Sequence, residues 1–300
     1  MSFDFSSLSQ HGSDPQHEIL FKHRLGGANE SILVSHEGQE LWVLKLRQRS
    51  KANNRLANEL FGAHLCHTLE IPVPRSKAIF LPQDFVDDPR VWFKSSSEPR
   101  RPEAGLHFAS RYLPQVTGHE MYEQVPSTLA PRIRNVFDCV GIFVFDVWAM
   151  HLDERQTIFD LENRWLQATF IDNGEIFGGS QWCGNSTSIN AKSARRAVLT
   201  SENLQSDLHV WVQRLEERIP SALFQAAAGL PQEWYSGNLT SLLDRLMVRL
   251  NRLTSHVAQA VDVLLQRVEI SSAYAQDLPM GGRCILALEP DGLNRLYTLP

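Results

Sequence analysis

The apolar pattern of this 300-residue sequence changes period once along the chain, close to Leu113. Before that point, four segments predict β-strands: HEILFKHRL and SILVSHEGQELWVLKLR, in which apolar residues alternate, and then SKAIFLP and LHFASRYLP. After it, PRIRNVFDCVGIFVFDVWAMH is apolar on most faces of a helix, which predicts a buried helix. The sequence therefore predicts an α+β chain with a sheet-rich unit first and a mainly helical unit second.

One helix is predicted within the sheet-rich unit, in KANNRLANELFGAHLCHTLEI. Leu56, Leu60, Ala63 and Leu69 recur near helical spacing, and the helix should end before Pro72, where the backbone cannot easily continue it. This helix follows the strand that contains Lys45. A surface loop is predicted in DDPRVWFKSSSEPRRPEAG, between the last two strands of the unit.

The second unit is predicted to begin with the buried helix and a β-hairpin that turns at Glu162-Asn163-Arg164. Apolar residues from Leu239 to Leu264 recur at intervals of three and four, which predicts one long amphipathic helix that packs in the core. The last segment, GGRCILALEPDGLNRLYTLP, predicts a closing hairpin. We therefore expect an N-terminal lobe over 1–113, a helical lobe over 114–270 and a tail over 271–300.

Charge and composition exclude several classes of function. The formal net charge of -5 and the pI of about 6.1 leave no overall basic surface for nucleic acid or anionic membrane, so we expect neither partner. The first residues do not resemble a signal peptide and CVGIFVF is too short to span a bilayer, so we expect a cytoplasmic protein. The four cysteines form no CxxC pair, which argues against zinc and predicts reduced, structural thiols.

Four charged residues stand out by their context. Lys45 lies inside an apolar strand, Glu59 inside the next helix, Asp153 after the buried helix and Asp172 at the end of the hairpin. Each has an ordinary alternative: Lys45 can reach solvent, Glu59 can face water and Asp172 can belong to a turn. Together they follow the order used in phosphoryl transfer of the protein-kinase type: strand lysine, helix glutamate, catalytic aspartate, metal-binding aspartate.

That order has a chemical reason. Lys45 can neutralise the phosphates of a nucleotide if Glu59 holds its ammonium in place. Asp172 offers the oxygen ligand that Mg²⁺ prefers, while Asp153 is left to accept the proton of an attacking hydroxyl. The hairpin would then set the distance between the base and the metal ligand.

The chain resembles the HipA-like kinases, bacterial relatives of the protein-kinase and phosphoinositide-kinase fold. The resemblance extends to about residue 270 and is carried by VLKL at 43–46, LANELFGAHLCHTLEIPVP at 56–74, DVWAMHLDERQTIF at 146–159 and FIDNGEIFGG at 170–179. It implies a two-lobed protein-kinase-like fold, with a small β-rich lobe, a mainly helical lobe and ATP between them.

The resemblance also implies roles for individual residues. Lys45 would contact phosphate, Glu59 would support it, Asp153 would be the catalytic residue and Asp172 would bind Mg²⁺. The loop that covers the phosphates would contain four residues, namely Gly26, Gly27, Asn29 and Ser31. The passage from Phe108 to Leu113, with Arg111 and Tyr112, would form the hinge beside the adenine.

Three departures from the family pattern are visible. The family's second metal ligand is an asparagine five residues after the catalytic aspartate, where this chain has Ile158. Gln156 carries the same amide oxygen and is either that ligand or a surface glutamine. Arg155 either pairs with Asp153 or Glu154 or contacts phosphate. GGANES lacks the GxGxxG spacing and is either a phosphate loop or a hairpin turn.

The leading hypothesis is an ATP- and Mg²⁺-dependent kinase that acts on a protein serine or threonine. A pseudokinase that binds nucleotide without turnover is the first alternative, because Ile158 replaces the expected asparagine. A kinase of small-molecule hydroxyls is the second. The sequence does not indicate the substrate, the oligomeric state or an antitoxin-like partner.

Overall fold

The N-terminal half of the chain forms a five-stranded antiparallel sheet in a computed structural model, which describes residues 19–25, 31–36, 40–47, 54–93, 100–113, 120–123, 125, 129–183 and 201–276. The spatial order is β1-β2-β3-β5-β4. The strands are β1 (Leu20–Arg24), β2 (Ile32–His36), β3 (Glu40–Lys45), β4 (Ser76–Leu81) and β5 (Gly105–Arg111). Each of these strands was predicted from the sequence, and each prediction is confirmed.

Helix α1 (Arg55–Thr68) connects this sheet to the helical part of the molecule. Ten of its fourteen residues are buried, and Leu56, Leu60 and Phe61 belong to the large hydrophobic cluster that also contains the C-terminal helices. The chain leaves the helix at Leu69, as Pro72 requires. Because α1 is buried on several sides, its polar residues Asn58 and Glu59 face protein instead of water.

A second, smaller hydrophobic cluster covers the other face of the sheet. Trp42 and Ile79 from the strands pack there with Phe85 and Val86 of a short helix, α2 (Gln83–Asp87). The connection between β4 and β5 therefore begins with a short helix that packs on the sheet, and the surface loop predicted from Asp87 starts where this helix ends.

The predicted buried helix and hairpin are both present in the second half. Helix α3 (Val136–Trp148) has ten buried residues in succession, from Cys139 to Trp148. The hairpin strands β7 (Gln156–Glu162) and β8 (Trp165–Ile171) pair along their whole length. A short strand, β6 (Glu120–Tyr122), pairs with the other edge of β7 and completes a three-stranded sheet. Asn163 adopts a positive φ of 59° in the hairpin turn, which asparagine tolerates well.

Three helices close the described structure: α4 (Leu204–Ala228), α5 (Leu239–Leu250) and α6 (Leu253–Gln276). The prediction of one long helix from Leu239 to Leu264 is therefore wrong. The chain turns at Asn251, whose N–H bonds to the Met247 carbonyl. Leu250 and Leu253 are both buried, although they belong to two different helices. The apolar spacing of three residues between them therefore crosses a turn and does not show one continuous helix.

The division into lobes over 1–113 and 114–270 stays a prediction. Helix α6 continues to Gln276, beyond the position chosen for the start of the tail. The predicted closing hairpin lies outside the described residues. No helix in the described part of the chain is long and apolar enough to cross a membrane.

Candidate active site

Lys45, Glu59 and Asp172 meet at one point, although they come from three elements and are up to 127 positions apart in the sequence. The Lys45 ammonium donates to Asp172 Oδ1 at 2.9 Å and forms a direct ion pair with Glu59 Oε1. Glu59 is 3% exposed, whereas Lys45 and Asp172 retain 18% and 17%. Glu59 therefore lies in the core, whereas Lys45 and Asp172 are partly exposed to solvent.

Two carboxylates share one ammonium in this cluster, and their pKa values diverge. Burial raises the pKa of Glu59 to about 7, an effect that Lys45 offsets in part and Asp172 reinforces. Burial acts in the same sense on Asp172, but the Lys45 charge and hydrogen bonds outweigh it and hold the pKa below its usual range. Burial also opposes the charge of Lys45, yet the two carboxylates raise its pKa overall. An added cation would balance the excess of negative charge.

The backbone at Asp172 is held in an uncommon conformation. Its φ of 64° lies in the left-handed region, which costs a residue other than glycine on the order of 1 kcal/mol or more. The next amide, of Asn173, donates to Glu59 Oε2 at 2.9 Å. The Asp172 carbonyl accepts from Arg155 Nη1 at 3.1 Å. These bonds at both ends of the residue fix the direction in which the carboxylate points.

Arg155 has neither of the two protein partners expected from the sequence, and its contact with phosphate stays a prediction. It does not pair with Asp153 or Glu154; its buried guanidinium forms a bidentate ion pair with Asp146 of α3. It also donates to Asn173 Oδ1 at 2.8 Å. The hairpin register explains the difference, because Arg155 immediately precedes β7 and therefore lies opposite Asp172, which immediately follows β8.

Asp153 lies on the exposed loop between α3 and β7. Its Oδ1 accepts from the N–H of Glu154 at 2.8 Å. The Leu152 N–H donates to the Glu175 carbonyl at 3.0 Å, which ties this loop to the segment after Asp172. The role of Asp153 as catalytic base stays a prediction, and its exposure would give a large acceptor access to it.

Gln156 is the first residue of β7. It is exposed and pairs with Ile171, the neighbour of Asp172. Ile158 lies further along the strand, opposite Thr169. Gln156 thus lies at the open end of the hairpin, where an amide oxygen close to Asp172 would be useful.

The donor set fits a hard cation. Asp172 and Gln156 offer only oxygen, and Mg²⁺ takes its remaining ligands from water and phosphate in sites of this kind. Within the described residues no group of three or more His, Cys, Asp or Glu side chains could hold a metal ion. The assignment of Asp172 and Gln156 as metal ligands stays a prediction.

The residues expected around the nucleotide are only partly described. Gly26, Gly27 and Asn29 lie outside the described residues. Ser31 immediately precedes β2 and is buried, and its carbonyl accepts from the Leu25 N–H at 2.9 Å. This bond joins the two described residues that flank the predicted phosphate loop.

The expected hinge residues Arg111 and Tyr112 lie at the end of β5. Arg111 is the last residue of this strand and forms an ion pair with Glu40 of the neighbouring strand β3. The Tyr112 N–H donates to the Leu41 carbonyl at 2.9 Å. Their contact with adenine stays a prediction.

Two of the three described cysteines agree with a structural role. Cys66 and Cys139 are buried free thiols, and burial raises the pKa of each to about 12. Cys183 is a free, exposed thiol. Cys284 lies outside the described residues.

Three residues of the site were missed in the sequence: Asp146, Asn58 and Asn173. Asp146 gave a signal, because a lone carboxylate inside CVGIFVFDVWAMH needs a buried partner. Asn58 and Asn173 gave none, since asparagine in a helix or in a turn is ordinarily exposed.

Solved structures identify the fold. The chain is similar to hydra Fam20 with sugar, with a TM-score of 0.56 and 11% identity over 82% of this chain and 87% of that one. It is also similar to the Golgi casein kinase, with a TM-score of 0.53 and 12% identity over 84% and 76%. The chain has a protein-kinase-like fold. The predicted two-part α+β architecture is thereby confirmed.

HipA of Shewanella oneidensis MR-1, in a complex with HipB and operator DNA, also shares the protein-kinase-like fold. Its TM-score is 0.50, at 12% identity over 84% of this chain and 76% of that one. The expected resemblance to HipA thus extends to the structure. No protein-family model matches the sequence, and no curated protein matches it significantly. At this level of identity the neighbours establish the fold alone.

Proposed function

We propose that this protein is a cytoplasmic ATP- and Mg²⁺-dependent phosphotransferase whose acceptor is a serine or threonine hydroxyl of a protein. The observation that carries the proposal is the convergence of Lys45 on both Glu59 and Asp172. A purely structural ion pair needs one carboxylate for one ammonium. A second, partly exposed carboxylate on the same ammonium suits a site that also receives a metal ion and phosphates.

Each residue has a distinct task in this proposal. Lys45 Nζ binds phosphate oxygens, and Glu59 keeps the ammonium in position. Asp172 and Gln156 would hold Mg²⁺, which when bound neutralises charge on the transferred phosphoryl group. Asp153, exposed beside the site, orients the acceptor hydroxyl and accepts its proton.

Two structural neighbours support the proposal. The Golgi casein kinase has been solved with Mn and ADP bound, at a TM-score of 0.52 and 12% identity to this chain. A kinase of the same fold therefore binds a divalent cation with an adenine nucleotide. One neighbour is a Golgi kinase and another belongs to a toxin–antitoxin system. The fold therefore does not indicate the acceptor, which must be found by experiment.

Ligand-dependent thermal stability tests the nucleotide and metal. Wild-type protein should gain stability with ATP and Mg²⁺ together, by about 2.7 kcal/mol when the ligand is at 100 times its Kd. Asp172→Ala should abolish the gain. Asp160→Ala, on the same hairpin in the middle of β7, is the matched control and should keep it. A wild type without any shift would contradict the proposal.

A nucleotide-binding pseudokinase is the second candidate, favoured by Ile158 at the position of the expected amide ligand. Transfer of labelled phosphate from ATP separates the two candidates. A kinase labels a protein extract, and Asp153→Asn lowers the rate by a factor of 100 or more, within the range of about 10²–10⁴ for general acid–base catalysis. A pseudokinase binds nucleotide but labels neither proteins nor metabolites, and labelled metabolites would instead reveal a small-molecule kinase.

A further inference from the structure

Asn58, the residue before Glu59 on α1, is fully buried and directs its side chain at the segment that follows Asp172. Its Nδ2 donates to the carbonyls of Gly174 at 2.9 Å and Ile176 at 3.0 Å, with a longer contact to Gly179 at 3.4 Å. Its Oδ1 accepts from Trp182 Nε1 at 2.7 Å. Both donors and the acceptor of one amide are therefore used by a single segment, Gly174–Trp182.

That segment needs such a partner because it has no regular secondary structure. Phe177, Gly178 and Gly179 all have positive φ, at 62°, 79° and 85°, so their peptide groups do not form a helical or strand pattern. Buried carbonyls without partners cost about 1–3 kcal/mol each. Asn58 donates to the Gly174 carbonyl and adds a second donor to the carbonyls of Ile176 and Gly179, which also accept from the N–H groups of Gly179 and Trp182, and a leucine at position 58 would remove all three contacts.

The other residues on this face of α1 show how close the helix lies to the segment. A Cβ atom at Gly62, one turn after Asn58, would lie 2.7 Å from Asn173 Cγ and 2.8 Å from Ile176 Cδ1. One turn before, Arg55 Nε donates to Glu175 Oε1 at 2.6 Å. This face of α1 therefore packs against the segment that follows Asp172, and Asn58 lies at the buried centre of the face.

We infer that Asn58 is a positioning residue of the active site, which locks α1 onto the segment after Asp172. Glu59 is its neighbour on α1 and Asp172 precedes the segment. The hydrogen bonds of Asn58 therefore fix the positions of both carboxylates relative to Lys45. Hydrogen bonds are directional, whereas apolar packing alone would allow α1 to slide. The inference rests on the proposed function for its catalytic meaning, but the lock itself can be tested in protein without nucleotide.

Asn58→Leu is the informative variant, because it keeps a similar volume and removes the hydrogen bonds. Asn135→Leu is the matched control: its amide also bonds to backbone, at 2.8 Å to the Ala168 N–H and 3.0 Å to the Ala168 carbonyl, but contacts strand β8 instead of the Asp172 segment. Both variants are studied at a temperature where circular dichroism shows them folded.

Two measurements are made on each variant. Amide hydrogen exchange in protein without nucleotide reports the order of residues 172–182, and calorimetric titration with Mg²⁺ and ATP reports affinity. Asn58→Leu should exchange faster across 172–182 and bind tenfold or more weakly, because binding would then have to order a segment that Asn58 holds in place in the wild type. Asn135→Leu should leave both unchanged.

Exchange across 172–182 that is the same in wild type and Asn58→Leu would overturn the inference, as would equal loss of affinity in Asn135→Leu. If the wild type does not bind nucleotide, the proposed function fails and the exchange data alone decide the role of Asn58. If Asn58→Leu does not fold, Trp182→Phe replaces it, because this change removes the donor to Asn58 Oδ1 and keeps an aromatic ring at the position. Faster exchange across 172–182 in that variant supports the lock, and unchanged exchange overturns it.

Discussion

A buried ion pair between Arg155 and Asp146 lies beside the backbone of Asp172. Its removal tests how much stability these contacts contribute. Both side chains are fully buried, and Arg155 also donates to the carbonyls of Ile171 and Asp172 at 3.1 Å. Arg155→Met would remove the guanidinium from the buried Asp146 carboxylate, at a cost of about 3–5 kcal/mol. The carbonyls that lose their donor add about 1 kcal/mol or more, so we expect a loss near the upper end of that range.

Urea unfolding of the two single variants and the double variant measures this coupling. Asp146→Asn alone leaves the guanidinium buried without its counter-charge and should also destabilise. In Asp146→Asn/Arg155→Met both charges are gone, so the double variant should be more stable than the sum of the single losses predicts, by about 2 kcal/mol or more. Arg134→Met, which breaks an exposed pair with Glu162, is the control and should change little. Additive losses, or a loss below about 1 kcal/mol for Arg155→Met, would refute the reasoning.

Three further changes probe the site. The pKa of Glu59 is about 7 in the folded protein and 4.5 ordinarily, so its contribution to stability is complete below pH 4.5 and is lost as pH rises through 7. Without nucleotide, the unfolding free energy of wild type minus that of Glu59→Gln, in which histidine contributions cancel, should fall across this range; a rise would contradict it. Gly62→Ala should destabilise by about 1–3 kcal/mol, because the clash with Asn173 exceeds the gain of about 1 kcal/mol in helix propensity; increased stability in urea unfolding would exclude that close contact. Gln156→Leu should leave folding intact but raise the Mg²⁺ concentration needed for nucleotide-dependent stabilisation, and an unchanged requirement would remove Gln156 from the metal site.

The residues that could be predicted from the sequence are those whose chemistry conflicts with their surroundings. Lys45 is a cation in an apolar strand and Asp172 a carboxylate at the end of one, and the structure brings both together with Glu59. Asp146 offered the same signal, but its partner could not be chosen. That choice depends on the register of the hairpin, which places Arg155 across from Asp172.

Other features could not be read from local pattern. Asn58 is an ordinary helix residue in sequence, and only the packing of α1 against the Asp172 segment makes it a buried donor. The turn at Asn251 was hidden because Leu250 and Leu253 continue the apolar spacing across it. Tertiary contacts decide such cases, and a periodic stripe reports only which residues are buried.

A structure of the protein soaked with Mg²⁺ and a non-hydrolysable ATP analogue would test the central claim most directly. We expect a phosphate oxygen within hydrogen-bonding distance of Lys45 Nζ and a metal ion bound by an oxygen of Asp172, with the ion pair between Lys45 and Glu59 intact. A nucleotide bound elsewhere, or phosphates that contact neither Lys45 nor a metal on Asp172, would contradict the account.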